Sequence, residues 1–283
     1  MAIITISRGC FSHGKDIAEK VAETLSYNCV SKEVIIEASE FFQVSEKKLF
    51  HSLHDAPGLM EKFTHGQDEY LAYISAALME NVKEDNVVYH GYGGHLLLPD
   101  VSHVMKVRII SDLKTRVAYT MEKEHISYTR AEEMIRKEDA QRRAWTSTVF
   151  GKDMMDPGLY DIVLNIGNIG MDEAVQTICE LAGSKSFTRT ETSQKIIDEF
   201  AIKKYAEAVL YKICQGQIEV HKDQVDVFIP PSRIKKTSHI SPGLLQSIWE
   251  SEKDTLNRRI SKRIKRIPGV KKVTCHFKAP QIH

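Results

Sequence analysis

The stretch from Ile3 to Leu25, IITISRGCFSHGKDIAEKVAETL, constrains the chain more than any other. An apolar strand runs into Gly9-Cys10-Phe11-Ser12-His13-Gly14-Lys15-Asp16, and a helix follows with apolar residues at Ile17, Ala18, Val21, Ala22 and Leu25. Strand, glycine loop and helix in that order make a phosphate cradle. Glycines let backbone N–H groups curl around phosphate oxygens, the helix N-terminus adds partial positive charge, and a lysine ammonium reaches the outer phosphates. Gly9, Gly14 and Lys15 have P-loop spacing, with Ser12 and His13 inside the same cradle. Asp16 stands where a Ser or Thr hydroxyl normally meets Mg²⁺. A carboxylate can hold that ion directly or through water, while bringing negative charge toward the phosphates. Without a ligand, the same stretch reads as a tight strand-to-helix turn with a solvated lysine.

The 283 residues are enough for two domains, and acids and bases nearly balance at a net charge of +1. That balance gives no global field for nucleic acid or an anionic membrane, so no nucleic-acid partner is expected. Five scattered cysteines, Cys10, Cys29, Cys179, Cys214 and Cys275, lack metal spacing and fit reduced thiols. No run approaches the roughly 20 apolar residues of a membrane span, and no signal-like N-terminus is visible. The expectation is a soluble, cytoplasmic protein without a transmembrane segment.

Apolar runs at Tyr27–Val30, Asn86–His90, Val104–Ile110 and Tyr160–Ile166 read as further strands. Helices read between them: one capped by Ser31 with Val34, Ile35, Ala38 and Phe41 on one side, a polar one from Ser45, and one from Gln67 to Val82. His51 and His54 share a helical face there, without a third ligand at matching spacing, and read as surface histidines. Asp112 caps another helix, Thr129 with Glu132 forms a capping box for a long one, and Asp172 opens the next. Alternating strands and helices predict a parallel sheet covered on both faces. Gly91-Tyr92-Gly93-Gly94 ends one buried strand, where α/β folds place ligands. A small, polar linker at 184–194 separates residues 1–183 from 195–283, where the order reads αββαβ. The last helix carries Arg258, Arg259, Lys262, Arg263, Lys265 and Arg266, read as a solvated face.

Phosphoryl transfer asks a protein mainly for charge neutralisation and positioning. Arg116, Arg136, Arg142 and Arg143 follow the phosphate loop on helical segments, and each guanidinium can fork two phosphate oxygens. With the opening stretch, VVYHGYGG, VMKVRIISDLKTRV and RAEEMIRKEDAQRRAW…FGKDMMDPGLYDIVLNIG, residues 1 to 183 resemble the cytidylate-kinase-like branch of the nucleoside monophosphate kinases. The resemblance implies a P-loop α/β fold with a five-stranded parallel sheet and a mobile arginine-bearing lid. It implies ATP with Mg²⁺ as donor and CMP or dCMP as acceptor.

On this resemblance Gly9, Ser12, His13, Gly14, Lys15 and Asp16 surround the donor phosphates, with Asp16 also at the metal. Lys15, Arg116, Arg142 and Arg143 close over the transferring group, and Arg8, Gly91, Tyr92 and Asp139 border the acceptor. The family often has Gly-Arg where this chain has Gly91-Tyr92. Tyr92 and Asp16 together motivate an alternative: a catalytically weak, nucleotide-binding regulatory protein. Residues 195–283, with their closing IPGVKKV, resemble a BON domain, a small α+β family associated with binding phospholipid surfaces or other ligands; without an export signal the resemblance is read as a module for a small ligand or a protein partner.

Overall fold

The computed structural model describes residues 2–54, 66–231, 233–234, 242–278 and 281–282. It divides into two compact units, Met1–Ile197 and Asp198–His283. The first runs β1 (Ile3–Arg8), α1 (Gly14–Leu25), β2 (Asn28–Val30), α2 (Glu33–Phe42), α3 (Glu46–His54), α4 (Gly66–Val82), β3 (Val87–Tyr89), α5 (Gly94–Leu97), β4 (Val104–Ile110), α6 (Leu113–Glu124), α7 (Tyr128–Phe150), β5 (Ile162–Asn165) and α8 (Ile166–Ala182). Its five strands are all parallel in the order β2-β3-β1-β4-β5. This is the parallel, helix-flanked sheet that the strand and helix alternation predicts.

β1 sits at the centre because both its faces are apolar enough to bury. Ala2, Ile4 and Ile6 turn toward Ile17, Ala18 and Val21 of α1 and Ala174 and Ile178 of α8, while Ile3 and Thr5 are buried on the other face. Each aliphatic side chain so buried contributes roughly 1.5–3 kcal/mol. The chain turns from one side of β1 to the other around this strand, so a crevice opens at the carboxyl edge of the sheet.

Four local readings are corrected. Lys32, not Ser31, occupies the N-cap of α2 and makes no side-chain cap, while the Ser31 N–H donates to Glu33 Oε2 at 2.7 Å. Phe41 is exposed and Phe42 buried, because the inward stripe runs Val34, Ala38, Phe42 in steps of four. Ser127, not Thr129, caps α7: its extended backbone lets its hydroxyl accept from the Arg130 N–H, while Thr129 already lies in the helix. The helix expected from Asp172 begins earlier, capped by Asn165 and kinked at Gly170 (φ 72°). His51 is exposed, and the side chain of His54 lies outside the described residues.

α9 (Glu191–Tyr211) leads into the second unit, with β6 (Gln217–His221), β7 (Gln224–Ile229), β8 (Arg233–Ile234), α10 (Pro242–Ile264), β9 (Lys272–Phe277) and β10 (Gln281–Ile282). β6 and β7 pair antiparallel and β7 and β9 parallel, with short β8 and β10 forming a separate pair. Ala206 and Leu210 of α9, and Ile260 and Ile264 of α10, pack on one face of this sheet. Gly269 (φ 88°) makes the turn into β9, where a Cβ would stand 3.2 Å from Ile202 Cδ1. No described helix is long and apolar enough to cross a membrane.

At the amino edge of the first sheet, Asp85 is buried 3.2 Å from His103 Nε2 and 3.1 Å from Arg189 Nη1. The Asp85 carboxylate thereby holds the segment after α8 to the loop before β3. Arg189 is 40% exposed and can be hydrated, so removing the carboxylate costs less than stranding a buried charge, about 1–3 kcal/mol. Asp85→Asn is therefore expected to lower unfolding free energy by about that amount in urea titration, and a loss under about 1 kcal/mol would show that the pair contributes little.

Candidate functional site

The carboxyl ends of β1, β3 and β4 deliver the loop Gly9–His13, the turn His90–Gly94 and the cap residue Asp112 to one edge of the sheet. The loop adopts left-handed backbone at Phe11 (φ 54°) and His13 (φ 53°). That conformation costs a non-glycine residue roughly 1–2 kcal/mol, so the surrounding contacts must hold it. Ser12 is buried, and its hydroxyl donates to the Gly9 carbonyl at 2.9 Å, bracing the loop from inside. Gly14 cannot carry a side chain: a Cβ would lie 2.6 Å from Arg8 Cβ.

α1 starts without a side-chain cap. Its first N–H groups and macrodipole are thus free of a built-in carboxylate cap, the condition for receiving an anion. Lys15 is exposed beside Glu19 at 3.5 Å, and Asp16 lies 3.2 Å from His13 Nδ1. The His13 ring packs against Tyr119 at 3.9 Å between centroids.

The α6–α7 hairpin sits on this loop. Buried Arg116 donates through Nε to the Cys10 carbonyl at 2.8 Å and through Nη2 to Asp139 Oδ2 at 2.6 Å. Asp139 Oδ1 in turn accepts the Cys10 N–H at 3.2 Å. The Cys10 thiol donates to Glu138 Oε2 at 2.9 Å; burial, aided by that bond, pushes its pKa up and keeps it protonated.

Beside the loop lies a pocket walled by Ile35, Phe50, Leu53 and Trp145, with Arg8, Tyr92 and Arg142 at its polar end. Arg8 Nη1 donates to His90 Nδ1 at 2.9 Å, which requires a neutral imidazole with its proton on Nε2. Burial, then the charge of Arg8, lowers the His90 pKa to about 4. Arg142 donates to the Arg8 carbonyl at 3.3 Å, and its guanidinium lies 4.8 Å from the Tyr92 ring centroid. Its Nε is buried without a hydrogen-bond partner among the described residues. Burial, then Arg142, lowers the pKa of Arg8. Among the described residues neither guanidinium has a carboxylate within ion-pair distance. Both cations line the cavity without an ion-paired carboxylate and are suited to receive an anion, although burial, which lowers the Arg142 pKa, is outweighed by its acidic neighbours, Glu138 and Asp139 among them.

Behind them Arg108, fully buried, donates to Ser7 Oγ and Tyr160 Oη at 3.2 Å each and to the Met155 sulfur at 3.1 Å. Tyr160 Oη lies 3.2 Å from His95 Nε2. Burial, then Arg108, lowers the His95 pKa to about 3.

The structure thus gathers Gly9, Ser12, His13, Gly14, Lys15, Asp16, Arg116 and Asp139 around the loop, and Arg8, Gly91, Tyr92 and Arg142 at the pocket. Arg143 is not brought there. Its guanidinium pairs with Asp153 at 2.5 Å in solvent, as Arg136 pairs with Glu132, because one residue along a helix rotates the side chain by about 100°. His90, Glu138 and Arg108 were not foreseen. The signal for Arg108 was an arginine between valine and isoleucine in a mostly apolar strand; that for His90 was its place directly before the glycine turn.

The family model described as the cytidylate kinase-like family matches residues 3–168, more than half of the chain. The chain belongs to the cytidylate kinase-like family. Among solved structures, an uncharacterized protein from Eubacterium ventriosum is similar over 65% of this chain and all of that one, at 22% identity and a TM-score of 0.50. Shikimate kinase from Bacteroides thetaiotaomicron matches over 64% of this chain and 97% of that one, at 14% identity and TM-score 0.38. TT1252 from Thermus thermophilus matches over 65% and 98%, at 15% identity and TM-score 0.39. No curated protein matches the chain. For this cytidylate kinase-like chain the family model and the five-stranded parallel sheet coincide over residues 3–168.

His90 and His95 are held neutral in the fold, at about 4 and about 3, against 6.5 ordinarily. As pH falls, the unfolded chain binds these protons first, so stability is full above the ordinary value and declines below it. Each histidine is expected to cost about 2 kcal/mol between about pH 7 and pH 5. Urea titration at the two pH values checks this; a His90→Asn, His95→Asn double variant should show a flatter profile, and an unchanged one would refute the assignment.

Proposed function

We propose that the first unit transfers a phosphoryl group from ATP to the phosphate of a nucleoside monophosphate, with CMP or dCMP the first acceptors to test. The observation that carries this reading is the pair Arg8 and Arg142, two guanidiniums without an ion-paired carboxylate lining a pocket beside an uncapped P-loop helix. The N–H groups of the loop and of α1, with Lys15, would hold the donor phosphates. Arg8 and Arg142 would fork the acceptor phosphate, and Tyr92 with the apolar wall would receive the rest of the acceptor. An acceptor phosphate is already anionic and needs little help from a base.

The donor set for Mg²⁺ is lean: among the described residues no group of three His, Cys, Asp or Glu side chains is placed to hold a metal. Mg²⁺ commonly takes only one or two carboxylates, completing its shell with phosphate oxygens and water. Asp16, half exposed in the first turn of α1, fits that requirement, and bound Mg²⁺ would neutralise donor phosphate charge. Arg116 would act on the loop through Asp139 and Cys10.

One observation favours a second reading as a nucleotide-binding regulatory protein of low turnover. Asp139 already occupies the Cys10 N–H, so a donor in the loop competes with a carboxylate. The second unit, in which a short β8–β10 pair is added to the αββαβ order read from the sequence, would be a BON-like module that contacts a ligand or partner.

A coupled ADP-release assay across the nucleoside monophosphates tests the proposal. Lys15→Ala is expected to lower kcat by at least about 100-fold, a loss of the size seen when one transition-state donor is removed. Arg8→Ala should raise the acceptor KM by about tenfold or more, as for a lost charge-assisted hydrogen bond. Tight nucleotide binding without turnover on any monophosphate would support the regulatory reading, and full activity in Lys15→Ala would defeat the donor-site assignment.

A further inference from the structure

The near-neutral charge of the whole chain conceals a division. Residues 198–283 carry 17 lysines and arginines against 9 aspartates and glutamates, a formal charge of +8, whereas residues 1–197 carry 22 against 29, or −7. The excess in the second unit concentrates on α10 and the turn after it. Ile260, Ile264 and Ile267 are buried in the core of this unit, whereas Arg258, Arg259, Lys262, Arg263, Lys265 and Arg266 are all exposed. Lys271 and Lys272 extend the exposed cations beyond the turn.

The fold does not account for this ridge. Among the described residues none of these six cations, four on α10 and two in the turn after it, has a carboxylate within ion-pair distance; Arg258 only reaches back to the Asp254 carbonyl and to Thr255 Oγ1, while Lys271 pairs with Asp223. Like charges four apart, as in Arg258 with Lys262 and Arg259 with Arg263, destabilise a helix by about 0.2–0.5 kcal/mol each. The helix macrodipole favours cations only in the last turn, which covers Lys262 and Arg263 but not Arg258 or Arg259.

We infer that this ridge binds double-stranded nucleic acid through its phosphate backbone. Four of the six cations are arginines, the side chain that forks two phosphate oxygens. A helix that docks on a bilayer inserts an apolar face between headgroups, and between Arg258 and Arg266 both apolar side chains are buried in the core. Unpaired strands call for aromatic platforms on which bases stack, and residues 255–267 contain no aromatic. A duplex, with one charge per about 1.7 Å of axis, supplies the dense negative surface that matches the ridge. No base-edge readout is implied, so binding is sequence-independent and governed by salt.

The test uses the full chain and a fluorescein-labelled duplex in anisotropy titrations at several salt concentrations. Six phosphate contacts predict a slope of log Kobs against log salt near −5. Arg258→Gln, Lys262→Gln, Arg266→Gln should reduce the slope by about 3 and weaken binding at least tenfold at low salt, with unchanged circular dichroism. Lys15→Ala should bind as the wild type does. Absence of binding at low salt, equal binding by the triple variant, or loss of binding in Lys15→Ala would overturn the inference. So would sedimentation with anionic phosphatidylglycerol vesicles by a protein that leaves the duplex unbound.

Discussion

The carboxylate of Asp139 is the contact on which the arrangement of the first unit turns. One oxygen accepts the Cys10 N–H and the other accepts from Arg116, whose Nε holds the Cys10 carbonyl. Both polar groups of a single loop residue are thereby satisfied by α6 and α7. A loop with left-handed backbone at Phe11 and His13 would otherwise have little to oppose its strain. The same contacts seat α7 so that Arg142, three residues on, reaches the Arg8 carbonyl and lies over Tyr92.

The pocket beside it depends on a different balance. Arg8, Arg108 and Arg142 bring three positive charges to the carboxyl edge of the sheet, and their partners are neutral: His90, Ser7, Tyr160, Met155 and a backbone carbonyl. A fold that buries cations among neutral acceptors pays in stability unless an anion arrives. The depressed pKa values of His90 and His95 record the same local excess of positive charge and burial. Sites that hold phosphate before chemistry are built this way, with field and geometry in place before the ligand.

Much of the first unit was legible in the sequence because strands buried on both faces are short apolar runs, and α1 follows its glycine loop directly. What was not legible was rotation. Phe41 and Phe42, Arg142 and Arg143, and Thr129 and Ser127 are one or two positions apart, and each choice between them depends on a helix phase that packing alone sets. The bond between Arg8 and His90 joins residues 82 positions apart, beyond the reach of local pattern. The charge division was hidden for a simpler reason: summing over both units cancels it.

Asp139 and Arg142 project from the same face of one straight helix, less than a turn apart, and one touches the phosphate loop while the other lines the pocket. A ligand that displaced Asp139 from the Cys10 N–H and a ligand that drew on Arg142 would therefore act on a single rigid body. Thermodynamic reciprocity then requires each to alter the affinity of the other by the same factor. In such a molecule the affinity at one site is not a property of that site alone; it is set in part through the length of helix between two side chains.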